Sequence, residues 1–330
     1  MSPLWKRNPF VGFGIGMGVL GALALALKHR QRTARGVIPD EISPAIFATR
    51  SVSTSQGELV YHVSGSGEPL VFLHGFFLGA SSYEWSKVYS RAAINHEVIA
   101  PDLIGFGESE RPSKPVDAAD HVEYLAEFLR EVVPQRPAVL IASGVSANLS
   151  LLLAARHPEL VSRMVLFLPT DLRDSKKCRT MGLVRRSRVP GVSQLIYRRH
   201  IAQAPFIRSW LESYGFANPD KITPETLSVL VNCAQQYGAE HAIFHFFKKR
   251  HGFDVSSHLS SVLAPVHILW PARAAGFHPS DAVNLCRHLP RASMEILPEA
   301  SAFAPMESPD DITAAVSRWI DGDLTALQTS

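Results

Sequence analysis

From residue 45 onward the chain alternates short apolar runs, rich in β-branched residues and leucine, with stretches of helical periodicity. That alternation leaves few folds open. The apolar runs fall at 45–52, 58–63, 70–73, 98–101, 139–142, 165–168, 266–270 and 294–297. Most are too short for helices and too continuously apolar to face water on one side, as buried strands of a mainly parallel sheet are. Helical stretches are expected at 82–92, 116–133, 147–156, 280–289 and 310–320. The order predicts an α/β fold with a mainly parallel, doubly wound sheet, its first two strands paired around Gly57.

The alternation breaks between residues 171 and 263, where helical stretches are punctuated by Pro190-Gly191, Pro205, Pro219 and Pro224. So long an interruption reads as an inserted helical lid and not as a loop. The expected organisation is a core at 45–170 and 264–322, a lid at 171–263 and a short tail at 323–330. Ahead of it, residues 28–44 are polar and basic and read as a linker, and residues 1–27 as a membrane anchor. Within that anchor, residues 9–27 carry no charge, between Lys6 and Arg7 on one side and Lys28, Arg30, Arg32 and Arg35 on the other. A bilayer is crossed by about 20 apolar residues, so the segment is just long enough for a single-pass transmembrane helix. Ala24-Leu25-Ala26 fits a signal-peptidase site, but no polar region precedes it and a basic cluster follows, which favours an uncleaved anchor. The heavier cationic load after the span predicts a globular domain on the cytoplasmic side. Gly12 with Gly16, and Gly14 with Gly18, have the spacing that lets two helices pair in lipid, so a homodimer through this helix is a candidate arrangement.

The net charge of +3 has no basic tract of the kind that binds nucleic acid. Cys178, Cys233 and Cys286 are odd in number and form no paired motif, so neither a disulfide framework nor a zinc site is expected. His241 and His245, one helical turn apart after Glu240, lack a third ligand at a useful spacing. Neither metal nor cofactor is expected. The first part of the lid is cationic, from Arg173 through Arg208, with interleaved apolar residues such as Leu183, Leu195 and Phe206. Two readings stand for it: a helix lying on anionic lipid, or a solvated face over a cleft.

Four stretches carry a resemblance. Leu73-His74-Gly75-Phe76 follows an apolar run, and Asp102-Leu103-Ile104-Gly105-Phe106-Gly107-Glu108-Ser109 has the pattern DxxGxGxS. Ala154-Ala155-Arg156-His157-Pro158-Glu159 closes a helical stretch, and the runs ending at Pro271 and Leu297 each lead into a loop. Together they resemble the α/β-hydrolase superfamily, from about residue 45 to residue 322. The resemblance implies a serine at a G-x-S-x-G elbow, a histidine base and an acid that orients it. It also implies an oxyanion turn in which His74 is structural.

The elbow here reads Ala142-Ser143-Gly144-Val145-Ser146, and counting from Val139 or back from His157 puts Gly144 at the nucleophile position. After the seventh run, Trp270-Pro271-Ala272-Arg273-Ala274 puts Ala274 at the acid; after the eighth, Glu299-Ala300-Ser301-Ala302-Phe303 puts Ala302 at the histidine. Substitute groups are Ser146, two residues past the elbow, Asp171 at the end of the sixth run, and His278 with Asp281 nearby. Ser146 reads as a small packing residue, Asp171 as a helix cap and His278 as a surface residue. Backbone donors at Phe76, Phe77 and Val145 do not depend on those side chains and are expected to persist. The sequence therefore points to a membrane-anchored, non-catalytic protein that binds an apolar ligand or a protein partner. The rival reading is an active hydrolase of a small ester or lipid-like substrate working through Ser146.

Overall fold

In the computed structural model, which describes residues 47–169, 192–248 and 255–322, eight strands form one sheet. They are β1 (Ala48–Thr54), β2 (Gly57–Ser64), β3 (Pro69–Leu73), β4 (Glu97–Pro101), β5 (Ala138–Ser143), β6 (Val161–Phe167), β7 (Val266–Pro271) and β8 (Ala292–Leu297). Their order across the sheet is β1-β2-β4-β3-β5-β6-β7-β8. β1 pairs antiparallel with β2, and β2 with β4; every pair from β4 to β8 is parallel. Each of the eight apolar runs contributes a strand among the described residues, the first from Ala48 onward. β3 and β5 are buried at every residue, because helices cover both faces of the sheet there.

The crossover helices begin where local chemistry allows. α1 (Ser86–Ala92) follows a 3₁₀ turn at Ser82–Trp85, so the predicted helix at 82–92 is two elements. α2 (Ala118–Val132) starts after Asp117, whose carboxylate accepts from Ala119 N and Asp120 N at 3.0 and 3.1 Å while the Asp120 carboxylate takes Asp117 N at 2.9 Å. That reciprocal cap trims the expected start at 116. α3 (Gly144–Arg156) begins three residues before the expected 147, because the chain turns from β5 straight into helix.

Between β6 and β7 the described residues are helical and contribute no strand. α4 (Val192–Ile196) and α5 (Ala204–Trp210) each run into a π-helical turn, at Tyr197–Ile201 and Leu211–Gly215. α6 (Pro224–Gln235) is capped by Thr223, whose hydroxyl accepts from Thr226 N at 3.1 Å, and α7 (Ala239–Lys248) follows. After β7 come α8 (Pro279–His288), then β8, α9 (Ala304–Glu307) and α10 (Pro309–Asp321). No helix among the described residues is long and apolar enough to cross a membrane. The expected span at 9–27, the linker at 28–44, Asp171 and the tail at 323–330 lie outside those residues.

The core is centred on β3, β5 and β6. The fully buried Trp85 donates its indole N–H to Leu73 O at 3.1 Å and lies 5.8 Å from the Phe72 ring and 6.3 Å from Phe167. This anchor fixes the stretch after β3 against the end of the strand.

Candidate functional site

The turn from β5 into α3 lies on Gly144, whose φ is +56°. An L side chain at that angle crowds its own carbonyl, so a residue other than glycine would be held there only under strain of about 1–2 kcal/mol. Ser143 immediately before it is extended, at φ −114° and ψ 150°. The bend is therefore the sharp strand-to-helix elbow expected at 142–146, and its apex presents a Cα with no functional group.

The neighbouring serines point elsewhere. Ser146 is fully buried and donates to His74 O at 2.5 Å, which ties α3 to the turn after β3. Ser143 Oγ is buried beside Glu84 and makes no hydrogen bond of good geometry; a Cβ on Gly75 would sit 3.2 Å from it.

The turn after β3 is held by a buried polar scaffold. His74 Nε2 accepts from Leu103 N at 3.0 Å, which requires the proton on Nδ1, and Nδ1 donates to Gly75 O at 2.8 Å. Burial holds its pKa below the ordinary imidazole value, so His74 is a neutral structural ring with both nitrogens committed. His121 on α2 lies 5.0 Å from the Phe76 ring and shares a 2.7 Å hydrogen bond with Tyr124; burial pushes its pKa down to about 3. Glu84 accepts from Gly75 N at 2.6 Å, and burial pushes its carboxyl up to about 7 against the opposing pull of that N–H. The loop after β4 completes the frame: Asp102 takes Ser82 N at 2.6 Å and Glu108 N at 2.7 Å. A Cβ on Gly107, at φ +50°, would fall 2.0 Å from the Asp102 carboxylate, so glycine is required there.

Phe76 packs on Phe106, with 4.9 Å between ring centroids, and Phe77 packs on Phe303 at 4.6 Å. The remaining sequence-predicted positions do not converge on the elbow as reactive groups. Ala274 is buried in a turn and its carbonyl accepts from Phe277 N at 3.2 Å. His278 is exposed, caps the start of α8 and holds Asp281 through its backbone N–H at 3.2 Å. Ala302 is part-buried between Ser301 and Phe303.

What the loop after β8 does instead is clamp the inserted helices. Phe303 N donates to Gly215 O at 3.1 Å, and its ring lies 5.4 Å from Trp210 and 6.5 Å from Phe216. The approach is close enough that a Cβ on Gly215 would come within 2.5 Å of the Phe303 ring. Glu307 accepts from Ala217 N at 3.1 Å and Asn218 N at 2.7 Å, and also from the Ser301 hydroxyl. Sequence reasoning missed Glu84, Trp210, Phe303 and Glu307. Only Glu84 carried a signal, as a lone acidic residue in the otherwise uncharged stretch Gly75–Ser86.

Residues 68–216 match a family described as alpha/beta hydrolase fold. Among curated proteins, the chain is 37% identical over 106 residues to a 2-hydroxymuconate semialdehyde hydrolase of Pseudomonas sp. (strain CF600), covering 32% of this chain and 38% of that protein. It is 38% identical over 96 residues to a haloalkane dehalogenase of Mesorhizobium japonicum, 29% of this chain and 30% of that one. The chain thus spans about two fifths or less of the length of these relatives. Solved structures agree over more of the chain. A putative alpha/beta hydrolase from Nostoc sp. superposes with a TM-score of 0.70 at 19% identity, over 84% of this chain and 99% of that one. A membrane phospholipase A described as a bacterial virulence factor gives 0.68 at 20% identity, over 96% and 99%. At such identities the likeness carries the fold alone.

Proposed function

We propose that this chain is a member of the α/β-hydrolase superfamily, on the strength of the match over residues 68–216 and the shared fold, and that it binds a ligand or partner without turning it over. The carrying observation is Gly144 at φ +56° at the apex of the elbow. In this superfamily the strained turn exists to expose a nucleophile to its base; here the turn is retained and offers neither hydroxyl nor thiol. Ala274 and Ala302, at the acid and base positions, supply no proton acceptor. In this reading the backbone N–H groups of Phe77 and Val145, with that of Phe76 as a further candidate, serve a carbonyl or carboxylate, and the packed rings of Phe77, Trp210 and Phe303 supply an apolar surface. A molecule with one polar head and an apolar body suits that combination, and so does an apolar segment of a partner protein.

The segment at 9–27 makes the protein a single-pass membrane protein in this reading, with its domain on the cytoplasmic side and glycine-mediated pairing of the anchor helices. The opposing reading is an active hydrolase working through Ser146. Its support is the kinship with curated hydrolases, and it requires Ser146 Oγ to leave His74 O and find a base. Hydrolysis of p-nitrophenyl esters of graded acyl length separates the two. A non-catalytic protein gives rates equal to buffer and unchanged in Ser146→Ala, whereas saturable turnover lost in Ser146→Ala establishes the hydrolase.

A further inference from the structure

Away from the elbow, three side chains from separate elements meet with the chemistry of a metal centre. His62 lies on β2, Asp102 directly follows β4, and Glu108 stands on the loop that Asp102 organises. One ligand atom from each, an imidazole nitrogen and two carboxylate oxygens, lies within 4.8 Å of the others. The antiparallel pairing of β2 with β4, His62 opposite Ala100, brings them together.

The second observation is on His62 itself. It is 2% exposed, and its Nε2 is buried with no hydrogen-bond partner. The nearest charged atom is Glu108 Oε2 at 3.8 Å, beyond hydrogen-bond reach. On the other side of the ring, Nδ1 lies 3.1 Å from the hydroxyl of Thr49, its cross-strand partner on β1. With Nδ1–H donated to that hydroxyl, Nε2 presents a lone pair toward two carboxylates. His62 and Asp102 are buried and Glu108 is part-exposed, and lone pairs of three acceptors facing one another repel, a repulsion that a cation bound between them relieves. Ligands bound at about 2.0–2.2 Å to one ion stand roughly 3–4 Å apart, and 3.8 Å fits that spacing where a direct contact would not.

We propose that His62, Asp102 and Glu108 bind a divalent transition-metal ion. Imidazole with two carboxylates favours the zinc or manganese class over calcium or magnesium. The outer shell is in place: Thr49 fixes the ring, and Ser82 N and Glu108 N hold the two Asp102 oxygens while leaving each a further lone pair. Arg111, anchored on Gly107 O and Ser109 O, offsets part of the carboxylate charge. The ion ties β2 to the loop after β4, and that loop in turn holds the oxyanion turn through Leu103 N and Ser82 N. Its role is to brace that frame.

The test uses the full chain in detergent, stripped with chelator and titrated with Zn²⁺ and separately Mn²⁺ by calorimetry, with thermal unfolding in parallel. Zn²⁺ or Mn²⁺ is expected to bind at about one equivalent per chain and to raise the unfolding midpoint. Thr49→Val weakens binding by about tenfold, and Glu108→Gln by at least about as much, with the metal-free midpoint of Glu108→Gln close to that of the unaltered chain. His62→Gln abolishes binding; should it fail to fold, the part-exposed Glu108 carries the test. Absence of saturable binding with either ion, or affinity unchanged in Glu108→Gln, overturns the assignment.

Discussion

Glu84 sits under the elbow with its carboxyl pushed up to about 7 by burial, and the consequence is a stability that depends on pH. Below the ordinary carboxyl value of 4.5 the group is protonated in folded and unfolded chains alike, and nothing is lost. As pH rises from there through 7, the unfolded chain gives up its proton first and the folded state loses stability, in all about 3 kcal/mol. Glu84→Gln keeps an acceptor for Gly75 N and removes the titration. Its unfolding midpoint is expected to exceed that of the unaltered protein at about pH 8, with the gain shrinking to little near pH 5; an equal gain at both would refute the assignment. His121 acts with the opposite sign. Its depressed value means that stability present above pH 6.5 is lost as pH falls toward about 3, because the unfolded ring takes up a proton that the folded one refuses. Ser146 makes a simpler case: Ser146→Ala removes one hydrogen bond to His74 O and costs about 1 kcal/mol by chemical denaturation, with no other phenotype.

At the scale of elements, the loop after β8 holds the inserted helices to the core. Phe303→Ala empties the space among Phe77, Trp210 and Phe216 and is expected to cost about 3–5 kcal/mol. Glu307→Gln retains one good acceptor for two backbone N–H groups, so its loss is smaller, and it is expected to appear as faster limited proteolysis within 204–221 with the core intact. Unchanged cleavage there would show that the clamp is not what holds the segment. These ties join residues far apart in the chain, and nothing local in Ser301–Glu307 announces them. The strands, by contrast, were legible because a run such as 139–142 is buried on both faces and β-branched, and the structure extends it by one residue at each end to Ala138–Ser143. Helix starts were less so, since α3 begins at a glycine in a left-handed conformation, which no propensity favours.

Over the molecule as a whole, the strands of a mainly parallel sheet and the location of the elbow followed from alternation and motif spacing, whereas the strand order did not. Nor did the arrangement under the elbow. That Ser146 turns toward His74 O, that His74 is locked by Leu103 N, and that Glu84 lies against Gly75 are facts of three-dimensional packing between β3, α3 and the loop after β4. The metal-type cluster escaped the sequence for the same reason, because its three members are brought together by strand pairing and share no spacing that marks a site. The non-catalytic reading rests on a central elbow that offers no nucleophile. Treatment with a serine-reactive fluorophosphonate, read by intact-protein mass, measures that directly. The account predicts no adduct beyond that of Ser146→Ala and of the denatured chain, and a stoichiometric adduct mapped to Ser146 or Ser143 would contradict it.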